Sequence, residues 1–286
     1  MNIALFGGSF DPPHLGHDSV VKMALNTLEI DKLIIMPTFI NPFKTHFSAS
    51  PNMRIKWVEK IWGNLPKVEI SDFEIKQNRP VPTIESVRYL QNLYKTENFY
   101  VIIGADHLDT LHLWDDFDEL CKRAKFVIAS RNHIKIPPNL AKLNTNVDIS
   151  SSQIRTNPDI MSIPTVVQNE IIQFYKGKKM KERVEKIAEI LNEKKAENVE
   201  IIDMSDKEYI AKYVIIATTL ASRHAASLID DIKVGLKGEK IIGIESSDDW
   251  SVLDFGDILV HLMSETYRAK YNIEDFLAKL EKKAEI

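Results

Sequence analysis

The feature that most constrains this chain is a loop of glycine, proline and histidine directly after an apolar run at its start. Residues 3–6 are apolar enough for a buried strand, and the glycines at 7 and 8 let the backbone turn tightly and approach a ligand closely. Apolar residues recur at helical spacing after this loop, so it leads into a helix N-terminus, which attracts anions. His14 and His17 share one face of the first helical turn. We therefore predict a nucleotide-phosphate site in which two imidazoles meet one phosphate.

A second pattern suited to a phosphate is the segment 149–155, in which three consecutive serines precede Gln153, Ile154 and Arg155. Serine hydroxyls at a helix start can cap the backbone or lie beside a phosphate. Arg155 lies one turn into the helix and can reach the same anion. The segment alone favours an ordinary helix cap, so both interpretations stay open on these residues.

Strand-like apolar runs alternate with amphipathic helical patterns in residues 1–176. This alternation predicts a mostly parallel sheet, which binds ligands at the carboxyl ends of its strands. The first glycine loop, Pro37, Gly104 to Asp106, and Ser130 with Arg131 all follow strand ends, so four loops are expected to converge on one crevice. The predicted strands are residues 1–6, 32–36, 67–70, 99–103 and 126–129, and the predicted helices after the first are residues 54–62, 83–94 and 114–124.

The string from Gly7 to His17, GGSFDPPHLGH, resembles the (H/T)xGH signature of the nucleotidylyltransferase superfamily, and in particular its bacterial nicotinate-nucleotide adenylyltransferase branch. Residues 149–155 are similar to the ISSTxIR motif of the same family. The resemblance covers residues 1–176. It implies a Rossmann-like α/β domain with a parallel sheet that transfers AMP from ATP to nicotinate mononucleotide, giving nicotinate adenine dinucleotide and pyrophosphate.

The resemblance also implies roles for individual residues. His14, His17 and Arg155 would be catalytic. The implied ATP-binding residues are Gly7, Gly8, Ser9, Phe10, His14, His17, Gly104, Asp106, Ser151, Ser152 and Arg155, and the implied substrate-binding residues are Lys44, Thr83, Trp114 and Arg131. No cluster of Asp, Glu and His at ligand spacing indicates a dedicated metal cage, so Mg²⁺ is expected to arrive on ATP, in keeping with its preference for waters and phosphates.

Composition excludes several classes of protein. The charged fraction of 27% and the hydrophobic fraction of 44% are those of a soluble globular protein, and no apolar run reaches the length of about 20 residues that spans a membrane. The single cysteine, Cys121, excludes an internal disulfide and is expected to fill core space beside Leu120. Residues 1–176 carry 19 basic and 19 acidic side chains, so no direct DNA binding is expected. These features predict a cytoplasmic protein.

The polar segment 177–183 is predicted to be a linker, followed by a small α/β domain with a mixed sheet at 184–286. The expected strands are residues 199–203, 213–218, 241–244, 250–255 and 257–263, with helices from 184, from about 220 to 234, and from about 264 to 280. His261 alternates with apolar residues and is expected on a strand face.

The string from Asp249 to Met263 resembles the ribosomal silencing factor family, also called RsfS or Iojap. The resemblance covers about residues 181–286. It implies docking on the large ribosomal subunit, on its fourteenth protein, and a block to joining of the small subunit. Residues 177–286 are acidic, with 18 basic and 22 acidic side chains, as suits a basic ribosomal partner. Trp250 and Tyr271 are candidate ribosome-binding residues.

Two alternatives stay open for the whole chain. Residues 184–286 can instead be a regulatory or dimerising domain with no ribosomal role. The first domain can also be a nucleotidylyltransferase for another phosphate acceptor, for example of the phosphopantetheine or cytidylyl type.

Overall fold

The structure is a computed structural model that describes residues 1–41, 45–131, 134–145 and 147–282. The chain folds into two compact units, Met1–Tyr175 and Lys176–Ile286. None of the helices in these ranges combines the length and apolar character needed to cross a bilayer.

The first unit is built on a six-stranded sheet whose strands all run parallel. The strand order is β3-β2-β1-β4-β5-β6, so the chain turns back on itself between β1 and β4. Ligands of such sheets bind beyond the carboxyl ends at this reversal point. The strands are β1 (Asn2–Gly8), β2 (Lys32–Pro37), β3 (Val68–Ile70), β4 (Asn98–Gly104), β5 (Lys125–Ala129) and β6 (Ala141–Leu143).

Helices cover both faces of this sheet, as the alternating pattern predicts. The start of helix α2 carries a side-chain cap: the Ser50 hydroxyl accepts a hydrogen bond from the backbone N–H of Met53 at 3.3 Å, and Pro51 follows at the first helical position. The helices are α1 (Leu15–Thr27), α2 (Pro51–Trp62), α3 (Phe73–Lys76), α4 (Thr83–Leu93), α5 (Phe117–Arg123) and α6 (Ser151–Thr156), with 3₁₀ turns at Ala105–Leu113, Ile160–Ser162 and Thr165–Val167.

The predicted helix 114–124 is wrong at its start. Trp114 has extended backbone angles at the end of the 3₁₀ turn, and helix α5 begins only at Phe117. The break lies at Asp116, whose φ of 48° places it in the left-handed region and interrupts any continuous helix.

Cys121 was also expected in the core, but it is exposed. Its neighbour Leu120 is buried, and successive helical residues point about 100° apart.

The second unit contains a mixed five-stranded sheet of order β7-β8-β11-β10-β9, which confirms the predicted fold class. Strands β8 and β11 run parallel at the centre, and the other three pairings are antiparallel. The strands are β7 (Glu197–Asp203), β8 (Tyr213–Thr219), β9 (Gly243–Ser246), β10 (Trp250–Asp254) and β11 (Ile258–Ser264), and the helices are α8 (Ser222–Gly235), α9 (Glu265–Tyr271) and α10 (Ile273–Ala278).

Residues 177–183 do not form an irregular linker. They belong to helix α7 (Gln168–Glu193), and the boundary between the two units falls inside this helix. Met180 is buried in the core of the second unit, together with Val184 and Ile187. The expected helix 264–280 is also interrupted. Asn272 has a φ of 40°, ends α9 and caps α10 with its side chain.

Candidate active site

The two histidines of the first loop are fixed by the start of helix α1. The backbone N–H of Gly16 donates to His14 Nδ1 at 3.1 Å, and the backbone N–H of His14 donates to His17 Nδ1 at 3.2 Å. The two ring centroids are 3.7 Å apart. Because each Nδ1 accepts a hydrogen bond, the proton of each neutral ring lies on Nε2. The loop therefore presents two Nε2–H donors side by side.

Both imidazoles are held neutral by their surroundings. Burial, and then the positive charge of Arg131, lowers the pKa of His14 to about 3. Burial, His14 and Arg131 together hold the pKa of His17 well below its usual value. His14 is only 2% exposed, and its Nε2 has no hydrogen-bond partner among the described residues. A buried donor of this kind is available to a ligand oxygen.

Phe10, which was expected among the nucleotide-binding residues, instead supports this pair from behind. Its side chain is 1% exposed and lies in the core, where its ring centroid is 4.9 Å from that of His17 and 5.7 Å from that of Trp62. Its φ of 48° lies in the left-handed region, which residues other than glycine rarely adopt. At Gly16 a Cβ would lie 2.9 Å from the His14 ring, so only glycine fits between the two histidines.

Helix α6 brings the second predicted pattern against the first loop. The Ser151 hydroxyl donates to the carbonyl of Pro12 at 2.9 Å. Arg155 donates to the carbonyl of Asp11 at 2.6 Å and to the hydroxyl of Ser152 at 2.8 Å. The helix cap is Ser150, whose hydroxyl accepts from the backbone N–H at position 153. Ser150 is therefore the helix cap, and Ser151 and Ser152 are the candidate phosphate ligands. The segment can thus serve both as a cap and as a phosphate site.

The side chains of His14, His17, Ser151 and Arg155 line one cleft of about 480 Å³ at the carboxyl ends of β1, β4 and β5. A helix start, two neutral imidazoles and a guanidinium facing one volume form an anion site suited to a polyphosphate. The predicted residues that line it are Gly7, Gly8, Ser9, His14, His17, Thr83, Gly104, Asp106, Trp114, Arg131, Ser151, Ser152 and Arg155. Lys44 lies outside the described residues.

The far wall of the cleft carries an aromatic ring and the start of helix α4. Trp114 is half-buried, and its indole Nε1 has no partner among the described residues. Helix α4 has Pro82 at its N-cap position and no side chain capping its first turn. Pro82 and Thr83 both line the cleft, so the start of this helix, which favours negative charge, faces the cleft. Arg131 lies 3.5 Å from the Asp106 carboxylate.

Sequence reasoning assigned no role to several polar residues of this cleft, among them His107 and Glu74. His107, which received no role, lines it with its ring centroid 6.0 Å from that of Trp114. Glu74 lines it from helix α3 although it follows no glycine or histidine motif. The available clue was its position, since it closely follows the carboxyl end of strand β3. No group of three or more His, Cys, Asp or Glu side chains in the described ranges is placed to hold a metal ion.

In the second unit, Trp250 and Tyr271 lie side by side with ring centroids 5.4 Å apart. Tyr271 is 47% exposed and Trp250 is half-buried. The indole N–H of Trp250 donates to His261 Nδ1 at 3.1 Å. His261 lies on strand β11 as predicted, where it is 7% exposed and belongs to a buried polar contact.

Comparison with known proteins gives matches for both units. A family model described as cytidylyltransferase-like matches residues 5–157, and one described as ribosomal silencing factor during starvation matches residues 177–285. A probable nicotinate-nucleotide adenylyltransferase of Campylobacter jejuni is 58% identical over 175 residues, which are 61% of this chain and 97% of that protein. A protein of the same name from Nitratiruptor is 45% identical over 177 residues, 62% of this chain and 100% of its own length.

A solved structure shares the fold of the first unit. It is the nicotinic acid mononucleotide adenylyltransferase of Plasmodium falciparum complexed with NaAD, with 24% identity and a TM-score of 0.50, and the match covers 61% of this chain and 97% of that one. The chain therefore belongs to the cytidylyltransferase-like family, and its first unit is a nucleotidyltransferase similar to nicotinate-nucleotide adenylyltransferases. In the same chain this enzyme unit is fused to a domain of the ribosomal silencing factor family.

Proposed function

We propose that the first unit transfers AMP from ATP to nicotinate mononucleotide and releases nicotinate adenine dinucleotide and pyrophosphate. The observation that carries this proposal is the convergence of His14, His17 and Arg155 on one cleft at the strand ends. Relatives that align over 97% and 100% of their own length are named as probable nicotinate-nucleotide adenylyltransferases. We also propose that the protein is cytoplasmic, as the match to a ribosomal silencing factor suggests.

The reaction needs no nucleophile from the protein. A 5′-phosphate oxygen of the mononucleotide attacks the α-phosphorus of ATP, and the bond from that phosphorus to the departing pyrophosphate breaks. Negative charge grows on the nonbridging and leaving oxygens, so positioning and charge neutralisation supply the catalysis. The Nε2–H groups of His14 and His17 donate to the α-phosphate, and Arg155 and Ser151 hold the outer phosphates. Mg²⁺ enters as part of the ATP substrate.

The pyridine ring is proposed to lie at the other wall of the cleft. Trp114 offers an aromatic face for stacking. The uncapped start of helix α4 at Thr83 offers backbone donors for the nicotinate carboxylate, and Arg131 adds a positive charge to the same cleft. Lys44 is proposed as a further substrate-binding residue from the sequence alone, since it lies outside the described residues.

The test is pyrophosphate release from MgATP with nicotinate mononucleotide and, separately, with nicotinamide mononucleotide. We expect nicotinate-dependent release by the wild type and its loss in His17→Ala. His112→Ala is the matched control, because His112 is exposed and is not part of the cleft. Absence of release with either mononucleotide would reject this acceptor and favour a nucleotidylyltransferase with another phosphate acceptor.

We further propose that the second unit binds the large ribosomal subunit through its fourteenth protein and blocks subunit joining. The match over residues 177–285 and the acidic balance of this part of the chain support it. Trp250 and Tyr271 form an aromatic pair with one exposed ring, which suits an interface anchor.

Cosedimentation of the full chain with purified large subunits tests this second activity. We expect the chain to sediment with the subunits and Tyr271→Ala to weaken the association. Phe276→Ala is the matched control, since Phe276 is an exposed aromatic residue outside the Trp250–Tyr271 pair. A chain that stays in the supernatant would instead favour a regulatory or dimerising domain.

A further inference from the structure

Glu74 is a buried carboxyl group in the cleft that the proposed reaction does not use. Its residue is 5% exposed, and it lines the cleft together with Pro82 and Thr83. The hydroxyl of Ser86 donates to Oε1 at 2.7 Å. The other oxygen, Oε2, is buried and has no hydrogen-bond partner among the described residues. A buried carboxyl group that is hydrogen-bonded through one oxygen and has an unpartnered second oxygen is available to a polar group of a ligand in the cleft.

We propose that Glu74 is a specificity-determining residue, whose uncharged carboxyl group admits an anionic pyridine mononucleotide and whose ionisation disfavours it. This inference rests on the proposed function. An uncharged Glu74 can donate from Oε2 to the nicotinate carboxylate, whereas an ionised Glu74 and that carboxylate repel each other in a site with little water. The nicotinamide group is neutral and is accepted beside either form. The ratio of the two activities therefore reports the charge on Glu74.

The surroundings of Glu74 bring its ionisation close to neutral pH. Burial, and then the negative charge of Glu85, raises the pKa of Glu74 to about 7, while the hydrogen bond from Ser86 acts in the opposite direction. The group is protonated below that pH and ionised above it. Acceptance of nicotinate mononucleotide is therefore expected to decline as the pH rises through this range.

Other charged groups near Glu74 are occupied with partners of their own. On helix α3 the ammonium of Lys76 lies 2.9 Å from the carboxylate of Asp72. Beside helix α4 Arg79 lies 2.6 Å from Glu85. On strand β2 the ammonium of Lys32 pairs with Glu69. The other charged or titratable groups that line the cleft are Asp106, His107, Asp115, Arg131, Arg155, His14 and His17. Glu74→Gln leaves all of these groups in place, so a pH effect that they cause persists in that variant and is separated from the effect of Glu74.

The experiment measures kcat/KM for nicotinate and for nicotinamide mononucleotide at several pH values between about 6 and 8.5, where Glu74 changes charge. In the wild type, we expect the nicotinate to nicotinamide ratio to fall about tenfold across this range, which corresponds to a charge pair in a partly screened site. Glu74→Gln keeps the shape and the acceptor for Ser86 but cannot ionise. Its ratio is expected to stay at the wild-type low-pH value throughout.

Ser86→Ala gives a second, directional test, because Ser86 does not line the cleft. Loss of its hydrogen bond raises the pKa of Glu74 further, so the decline in the ratio is expected to move to higher pH. A merely structural role of the contact would lower both activities without moving this midpoint.

Four results would overturn the inference. A wild-type ratio that does not change with pH, or an equal decline in Glu74→Gln, would remove Glu74 as the cause while leaving the proposed function in place. A Glu74→Gln protein that melts like the wild type but loses nicotinate activity at low pH would also contradict it. Absence of pyrophosphate release by the wild type with both mononucleotides would reject the proposed function, and the inference with it.

Discussion

Both units of this chain bury a histidine whose ring is fixed in the same way. His14 accepts at Nδ1 from a backbone N–H, and His261 accepts at Nδ1 from the indole of Trp250. In both rings Nε2 is buried without a partner among the described residues. Burial is the main cause that lowers the pKa of His14 to about 3 and that of His261 to about 4. Taken one at a time, the two histidines look equally suited to bind a ligand.

Their surroundings separate them. His14 has a second imidazole beside it and shares a cleft of about 480 Å³ with Arg155 and Arg131. His261 lies 5.8 Å from the Trp250 ring, and the charge of Glu274 acts on it in the opposite direction to burial. A buried neutral histidine is therefore not by itself evidence for a site. Several donors that face one open volume at the ends of parallel strands are the stronger indication.

The largest effect is expected from removing each histidine in turn. His14→Ala deletes a donor aimed at a transition-state oxygen, so kcat for pyrophosphate release should fall about 10²- to 10³-fold. His261→Ala should leave kcat per folded molecule unchanged, since that ring belongs to the second unit. Steady-state assays of both variants, corrected for the folded fraction, make the comparison. An equal loss in His261→Ala would remove the distinction between the two regions.

A matched pair of arginines extends the comparison. Arg155 faces the cleft, whereas Arg268 of the second unit forms ion pairs with Glu274 at 2.6 Å and Glu200 at 3.2 Å. Arg155→Ala should lower kcat/KM for ATP about 30-fold, because a hydrogen bond to a charged group contributes about 2 kcal/mol. Arg268→Ala should change only the stability of its own unit. Unchanged ATP kinetics in Arg155→Ala would exclude contact between Arg155 and the phosphates.

The elements that sequence reasoning predicted are those with a strong local pattern. Strands β1, β2, β4 and β5 are continuous apolar runs in the centre of a parallel sheet, and such runs are visible without any structure. Strand β6 has only three residues, and Ala141 and Lys142 are exposed, so no apolar run marks it. The helix breaks at Asp116 and Asn272 depend on left-handed backbone angles, which residues other than glycine rarely adopt, so the sequence does not predict them.

The candidate site was predictable where its residues are close together in the sequence and share one loop and one helix start. The glycines, histidines and serines of the two loops are neighbours along the chain, and a helix start orients each group. Glu74 and the inward-facing Phe10 follow from tertiary packing instead. Glu74 is fixed by Ser86, twelve residues later, and Phe10 by a positive φ and the ring of Trp62. Neither contact has a signature in the sequence alone.

The low pKa of His261 predicts a pH dependence of stability confined to the second unit. In the unfolded chain this histidine takes up a proton near pH 6.5, but in the folded unit it does so only near pH 4. Its contribution to the free energy of unfolding is therefore complete above pH 6.5 and is lost as the pH falls. Between pH 7 and 5 the loss should be about 2 kcal/mol. Hydrogen exchange of strand β11, corrected for intrinsic rates, measures it. His261→Phe should show a smaller loss, and an equal loss would assign the effect to other groups.

The smallest effect is expected from the donor that fixes His261. Trp250→Phe keeps an aromatic ring but removes the indole N–H, so Nδ1 of His261 is left buried without its 3.1 Å hydrogen bond. The free energy of unfolding of the second unit should fall by about 1 kcal/mol, as measured by exchange of strands β10 and β11. Since the ring beside Tyr271 remains, ribosome association should be nearly unchanged, whereas Tyr271→Ala should weaken association with little loss of stability. The opposite outcome, with binding lost in Trp250→Phe at unchanged stability, would mean that the indole N–H faces a partner and that the second unit has a functional polar site after all.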